Sequence, residues 1–268
     1  MSLGAGKSAS IENGMFQFEG VQPGSYILRS GVSVQSGNMQ NGEFSWGSAH
    51  YFSRQVLEVS DRDVTDLTVT FAPATDLAGV FHTAGVTLSK VPSVNLIEEF
   101  FASPRKLKGD ADPTGAFRIE QLPPDRFEIV VSNLPDGAYV KSVRHGAEEV
   151  KGALDLTSAS DAPLEITLAP NAADIAGTLR DAKGAPVPYW VVTLWSSDDE
   201  PSKSETTASD GSFTFRNLAP GDYHLAAWSN VDTEVKPAFR KAYESQAAAV
   251  TVHEGSHETA DLKLILVQ

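Results

Sequence analysis

The chain contains no cysteine. That removes disulfides, thiolate metal sites and cysteine nucleophiles, while leaving the compartment open. Basic residues are scarce: 21 Lys and Arg stand against 35 Asp and Glu, for a net charge of −14. An acidic surface repels phosphate backbones and anionic lipid, so nucleic acid and membrane surfaces are poor partners. Nowhere does the sequence hold a run of the roughly 18 apolar residues that a spanning helix needs, which predicts no membrane insertion. No signal-peptide pattern is visible at Met1. The opening Met1-Ser2-Leu3-Gly4 reads as an artificial start and is set apart from the fold. Long segments with helical periodicity are also missing. The exceptions are Val94–Phe101, bounded by Pro92 and Pro104, and Pro237–Ala249, which can hold one or two helical turns.

What is present is a chain of 268 residues, 41% apolar, with 21 glycines and 15 prolines. Its length suits two or three all-β domains, and its glycine and proline suit short strands joined by tight turns. One strand–turn–strand pattern occurs three times. Residues 13–28, 114–129 and 210–225 align without a gap. Gly14, Gly115 and Gly211 lead the copies and fit a turn that needs φ > 0. Phe16/Phe18, Phe117/Ile119 and Phe213/Phe215 follow two apart, which places each pair on one strand face. Val21, Leu122 and Leu218 enter the next turn as core plugs. Pro23-Gly24 and Pro220-Gly221 predict a type II turn with glycine at the positive φ, whereas the middle copy has Pro124-Asp125. A period-2 strand closes each copy: Leu67–Phe71, Leu164–Leu168 and Leu262–Leu266. Asp76–Phe81 and Asp174–Leu179 open the second and third.

Gly115 lies 101 positions after Gly14 and 96 before Gly211, so one repeat is one sandwich-sized domain. The expected domains are 1–73, a partial first sandwich without its opening half, then 74–171 and 172–268. The truncated first copy predicts a piece of a longer multi-repeat protein, and an exposed edge within residues 1–72 that favours pairing with a neighbour.

The pattern Gly-x-Phe-x-Phe-x-x-Leu-x-Pro-Gly-x-Tyr-x-Leu resembles the carboxypeptidase regulatory-like domain. Ala176–Leu179, Gly184–Val187 and Val192–Leu194 are similar to that family's opening strands. The resemblance implies an all-β fold of tandem immunoglobulin-like, prealbumin-like Greek-key sandwiches, a fold also grouped with carbohydrate-binding domains. It implies an accessory module of an exported bacterial protein and no peptidase activity. A related adhesin family carries Lys–Asn isopeptide bonds. The opening strands at 77–81 and 175–179 hold no lysine, which argues against such a bond here.

Several short patterns point to chemistry. His253-Glu254-Gly255-Ser256-His257 spells H-E-x-x-H, which binds zinc when a helix brings the histidines together. Valines alternate before it and Gly-Ser fills its centre, so a hairpin turn is the expectation. Gly4-Ala5-Gly6-Lys7-Ser8 is a fragment of a phosphate loop with no strand before it. Asp110–Gly115 and Asp198-Asp199-Glu200 offer oxygen ligands to calcium, but neither opens a complete calcium loop and both read as solvated turns. His50, His82, His145 and His224 show no evident partner. The aromatics are the best route to a ligand. If Val192 and Leu194 face the core, Tyr189 and Trp195 face outward, and Trp228 falls opposite Tyr223 and Leu225. Exposed aromatics stack on sugar rings; the competing reading packs them under loops or between repeats. Trp46 sits in the Gly/Asn/Ser-rich stretch 36–47, a binding loop or a long connection.

The sequence therefore predicts a non-catalytic structural or interaction module outside the cytoplasm, with no cofactor, metal or catalytic residue. Its partners are other domains of the same protein or a protein partner. The alternatives are carbohydrate binding through Tyr189, Trp195 and Trp228, and a regulatory domain associated with a hydrolase.

Overall fold

The computed structural model describes residues 1–4, 7–40, 43–83, 85–87, 89–98, 106–196, 202–229 and 237–267. It is all-β. The first copy supplies β1 (Ser2–Leu3), β2 (Lys7–Ser8), β3 (Gly24–Gln40), β4 (Glu43–Val59) and β5 (Ala72–Pro73), in one sheet of order β2-β1-β3-β4-β5. The second supplies β6 (Thr75–Thr83), β7 (Ser93–Glu98), β8 (Lys106–Asp110), β9 (Ala116–Leu122), β10 (Arg126–Ser132), β11 (Tyr139–His145), β12 (Glu148–Glu149), β13 (Ala153–Asp155) and β14 (Leu164–Ala169). Their sheets run β13-β10-β7-β8 and β12-β11-β14-β6-β9. The third supplies β15 (Ala173–Arg180), β16 (Val191–Ser196), β17 (Lys203–Thr206), β18 (Ser212–Leu218), β19 (Gly221–Ala226), α1 (Pro237–Tyr243), a 3-10 turn (Glu244–Gln246), β20 (Ala248–Val252), β21 (His257–Thr259) and β22 (Leu262–Lys263). Here β18-β15-β21, with β22 also on β15, forms one sheet and β17-β16-β19-β20 the other. The order β13-β10-β7-β8 repeats as β20-β19-β16-β17, so the second and third copies share a topology as well as a motif.

The repeated residues have visible work. Gly14, Gly115 and Gly211 hold φ of 77°, 88° and 78°, as their turns require. The first phenylalanine of the motif packs over a glycine of the opening strand. A Cβ added at Gly79 would lie 2.2 Å from Phe117 Cζ, and one at Gly177 would lie 2.8 Å from Phe213 Cζ and 1.9 Å from the Ala260 carbonyl oxygen. The type II turns do not form: Gly221 has no positive φ and Gly24 holds φ of 157°, far from the value of about 80° such a turn needs, whereas Gly20, Gln121 and Asn217 hold φ of 60°, 60° and 57°. The left-handed residue is the one before the core plug. Between β15 and β18 the register shifts at this point, with Ala173 opposite Leu218 and Ile175 opposite Phe215, as at a β-bulge.

The first copy departs from expectation. Phe16/Phe18 and Leu67–Phe71 form no strand, and closure is left to Ala72–Pro73. The described part of the Gly/Asn/Ser-rich stretch, residues 36–40 and 43–47, is strand: β3 and β4 each run 17 residues and pair throughout. The opening residues belong to the fold, since Leu3 is buried and pairs with Leu28.

Two compact units emerge. One comprises 1–79, 94–130 and 153–164; the other comprises 80–93, 131–152 and 165–268. In the first, Leu28, Leu96, Ile119, Leu122, Phe127 and Leu154 are fully buried. In the second, Ile175, Val192, Leu194, Phe213, Phe215, Leu218 and Leu225 form the core between the sheets of the third copy. Burying a side chain of this size contributes about 1.5–3 kcal/mol.

Candidate functional site

The three aromatics meet different fates. Val192 and Leu194 face the core as expected, but Thr193 and Trp195 on the opposite face of β16 are buried too. Trp195 stacks on Trp228 at 5.9 Å and 26°, and Trp228 meets Phe239 edge-on at 5.5 Å. Phe239 and Tyr243 lie four apart on α1, hence on one helix face, with ring centroids 4.9 Å apart. The Arg240 guanidinium lies 5.8 Å from the Trp195 ring centroid, and His224 stacks on that ring at 5.6 Å. A second small core results, holding Trp195, Ala226, Trp228 and Ile265. The exposure expected of Trp195 and Trp228 on that outer face is thereby corrected: they are 6% and 2% exposed. The physical cause is the α1 cover, which gives the outer sheet face an apolar partner. Its sequence signal is the i, i+4 aromatic pair that follows Pro237. Tyr189 stands apart, 73% exposed with φ of 56°, its N–H donating to the Thr207 carbonyl at 3.0 Å.

The H-E-x-x-H segment is a turn between β20 and β21. The His253 N–H donates to Ser256 Oγ at 3.1 Å, the Ser256 N–H donates to the His253 carbonyl at 3.0 Å, and Gly255 holds φ of 70°. His257 is drawn to Asp174 on the neighbouring strand, with Nδ1 2.6 Å from Oδ2. Glu254 accepts a bond from Asn171 Nδ2 at 3.2 Å. Among the described residues no group of three or more His, Asp or Glu could hold a metal ion.

The phosphate-loop fragment leads into strand β2, antiparallel to β1. Lys7 Nζ donates to the Glu19 carbonyl at 2.7 Å. Asp112 organises its turn: Oδ1 accepts from Thr114 Oγ1 at 2.6 Å, the Thr114 N–H at 2.8 Å and the Ala116 N–H at 3.0 Å. The Thr114 bonds hold this carboxyl below its ordinary value. Asp198, Asp199 and Glu200 lie outside the described residues. Trp46 lies on β4, paired with Gly37. Three of the histidines have neighbours the sequence did not reveal: Ser33 at 2.9 Å from His50, Glu165 at 3.7 Å from His82 and Glu244 at 3.8 Å from His224.

A charged site emerges that sequence reasoning missed. In the first unit, Asp125 occupies the position that is Gly24 and Gly221 in the other copies. Its carboxylate is 2% exposed and receives Arg29 through Nε and Nη2, the latter at 3.0 Å. Arg54 Nε donates to Oδ1 at 3.0 Å and the Arg126 N–H at 2.9 Å. Arg29 and Arg54 are register partners on β3 and β4, so the hairpin presents both guanidiniums at one level. Burial alone would raise the Asp125 pKa. Hydrogen bonds from Arg29, Arg126 and Arg54, with the Arg29 charge, outweigh burial and hold it below the ordinary carboxylate value. A cleft of about 300 Å³ opens beside this cluster, lined also by Phe52, Glu98 and Pro124. The departure from glycine in the middle copy was the available signal.

These observations define an all-β protein built from paired β-sheets. Residues 174–265, within the third copy, match the model of the carboxypeptidase regulatory-like domain. No curated protein matches the chain in sequence. Among solved structures, the chain is similar to the Bacillus anthracis TIE protein, with 13% identity, a TM-score of 0.28, and coverage of 88% of this chain and 47% of that one. It is similar to a streptococcal ancillary pilin, with 12% identity, a TM-score of 0.27 and coverage of 91% and 76%. It is also similar to BcpA, the major pilin subunit of Bacillus cereus, with 10% identity, a TM-score of 0.28 and coverage of 88% and 99%. The chain thus spans about half the length of the TIE protein it matches. Among the described residues no helix is long and apolar enough to cross a membrane.

Proposed function

We propose that this chain is a non-catalytic structural and interaction module of an exported multi-repeat protein, working outside the cytoplasm beside other domains or a protein partner. The supporting observation is where its long-range polar bonds fall. Each compact unit contains residues of two copies, and polar groups bind those copies to each other. In the first unit Asp125 of the second copy takes Arg29 and Arg54 of the first. In the second unit Asn217 Nδ2 of the third copy donates to the Ala138 carbonyl at 2.6 Å, and the Ala172 N–H donates to the Gly137 carbonyl at 2.8 Å. A buried charge that lost its partner would be costly, so the joints favour one docked arrangement within each unit. The module's sandwich boundaries are 1–73, 74–171 and 172–268, and its joints tie across them. Stretching single molecules tests this reading. Two unfolding events, one per compact unit, are expected; three equal events from independent sandwiches would sink it.

A second reading rests on Tyr189, the exposed member of the aromatic set. Calorimetry against starch, cellulose and chitin fragments tests it: heat that disappears in Tyr189→Ala supports a glycan site, and silence across the panel removes it. Stoichiometric zinc at His253 and His257, or peptidase activity, would overturn the non-catalytic assignment.

A further inference from the structure

The β3–β4 hairpin outruns its sheet. The two strands pair without a break from Gly24↔Val59 to Gln40↔Glu43. On its outer side β3 is met by β1 only at Leu28 and Arg29. On its outer side β4 is met by β5 only at Tyr51 and Phe52. From Ser30 to Gln40 the outer edge of β3 has no strand partner among the described residues. Residues 31–35 are exposed, with Val32 at 37% and Val34 at 52%.

Open edges are normally guarded by charge, proline, bulges or shortness, because their free N–H and C=O groups recruit other strands. This edge has none of those guards. Residues 30–42 contain no Asp, Glu, Lys, Arg, His or Pro, and the register carries no bulge. A two-stranded ribbon is marginal in water by itself, whereas a sheet of three or more strands is not. The segment is therefore built to be covered.

We infer that the occupant is a second copy of this chain, its β3 edge pairing antiparallel with the same edge across a two-fold axis to give a four-stranded ribbon. Two features select a copy over another partner. An antiparallel edge is complementary to itself, and two-fold closure uses it up in both chains. The chain as a whole carries a charge of −14, so two copies repel through most of their surfaces; the uncharged arm is where they can approach. Glu43 and Arg54 charge the other strand, which leaves β3 as the pairing edge. This deepens the interaction-module reading without standing or falling with it, because oligomeric state and unfolding pattern are separate readouts.

The experiment is sedimentation velocity of the whole chain over a wide concentration range. A reversible dimer is expected. Val32→Lys with Val34→Lys should raise the dissociation constant at least tenfold, with circular dichroism and Tm unchanged. Val56→Lys, exposed on β4 (61%), should leave the dimer intact. The cysteine-free background permits a second readout: single cysteines placed along residues 30–35 should cross-link two chains at the positions nearest the two-fold axis, and Val56→Cys should not. A monomer at every concentration, open-ended assembly, or a dimer indifferent to the β3 lysines would overturn the inference.

Discussion

Asp125 and Gly221 occupy the same position of the same repeat, yet one is the most heavily bonded carboxylate described here and the other is the exposed first residue of β19, with φ outside the left-handed region. Neither Asp125 nor Gly221 holds a positive φ, so the backbone of these two copies accepts a side chain here. That freedom lets the middle copy place a carboxylate where the first copy's hairpin brings Arg29 and Arg54 together. Motif residues shared by the copies hold each fold, whereas residues that break the motif make joints. Asn217 follows the same rule: it aligns with Gly20 and Gln121, shares their left-handed φ, and alone puts a side-chain amide on the Ala138 carbonyl.

Breaking the Asp125 joint should have the largest effect. Asp125→Ala leaves two guanidiniums buried without their carboxylate and should cost about 3–5 kcal/mol in chemical denaturation. Replacing all three groups with apolar residues of similar volume should restore most of that loss, because paired buried charges contribute little net stability. A triple variant as weak as Asp125→Ala would show that the charges themselves hold the unit. The same joint sets an acid limit. Its folded pKa is lowered from 3.8, so its contribution is complete above the unfolded value and fades as pH falls through and below 3.8. The stability gap between the wild type and Asp125→Asn should narrow in that window. The carboxylates of Asp76, Asp112, Asp155, Asp210 and Asp261 are lowered as well, but they are common to both proteins and cancel in the comparison.

Next in size is a backbone seat. Gly177→Ala would drive its Cβ against the Ala260 carbonyl and the Phe213 ring, an overpacking cost of about 1–3 kcal/mol confined to the C-terminal unit. Asn217→Gly keeps the left-handed backbone and removes the bond to Ala138, at about 1 kcal/mol. Thermal melts would check both; equal losses in the two variants would mean that the Phe213 seat is softer than the geometry implies.

Much of this fold was legible because turn and core chemistry repeat. Gly14, Gly115 and Gly211 took the expected φ, the second and third copies formed matching strands, and residues 237–243 made the anticipated helical turns. What was hidden depends on contacts between segments far apart in sequence. Period-2 alternation assigned Trp195 and Trp228 to an outer face correctly, but alternation cannot say that α1 covers that face. Pro-Gly predicts a type II turn, yet the left-handed φ near 60° lies at Gly20, Gln121 and Asn217; in the third copy the register shift that seats the core plug overrides the local turn rule. The stretch 36–47 resembles a loop by composition, yet residues 36–40 and 43–47 are made strand by pairing with each other. Asp125 seemed only an awkward turn residue, because its partners lie 71 and 96 residues away.

The smallest effects should come at the exposed sites, and they test whether the motif position itself is permissive. Gly221→Asp copies the middle copy's residue into the third, where no arginine pair is among its described contacts. As a surface change away from caps and cores, it should shift stability by no more than about 0.5 kcal/mol. Tyr189→Gly should stabilise slightly, by up to about 1 kcal/mol, because at φ of 56° it removes the close approach of Cβ to the following carbonyl, a relief only partly offset by the greater backbone freedom glycine loses on folding. The two variants separate explanations. If Gly221→Asp costs as much as Asp125→Ala, the turn rather than the arginine pair governs this position, and the contrast between the copies loses its physical basis.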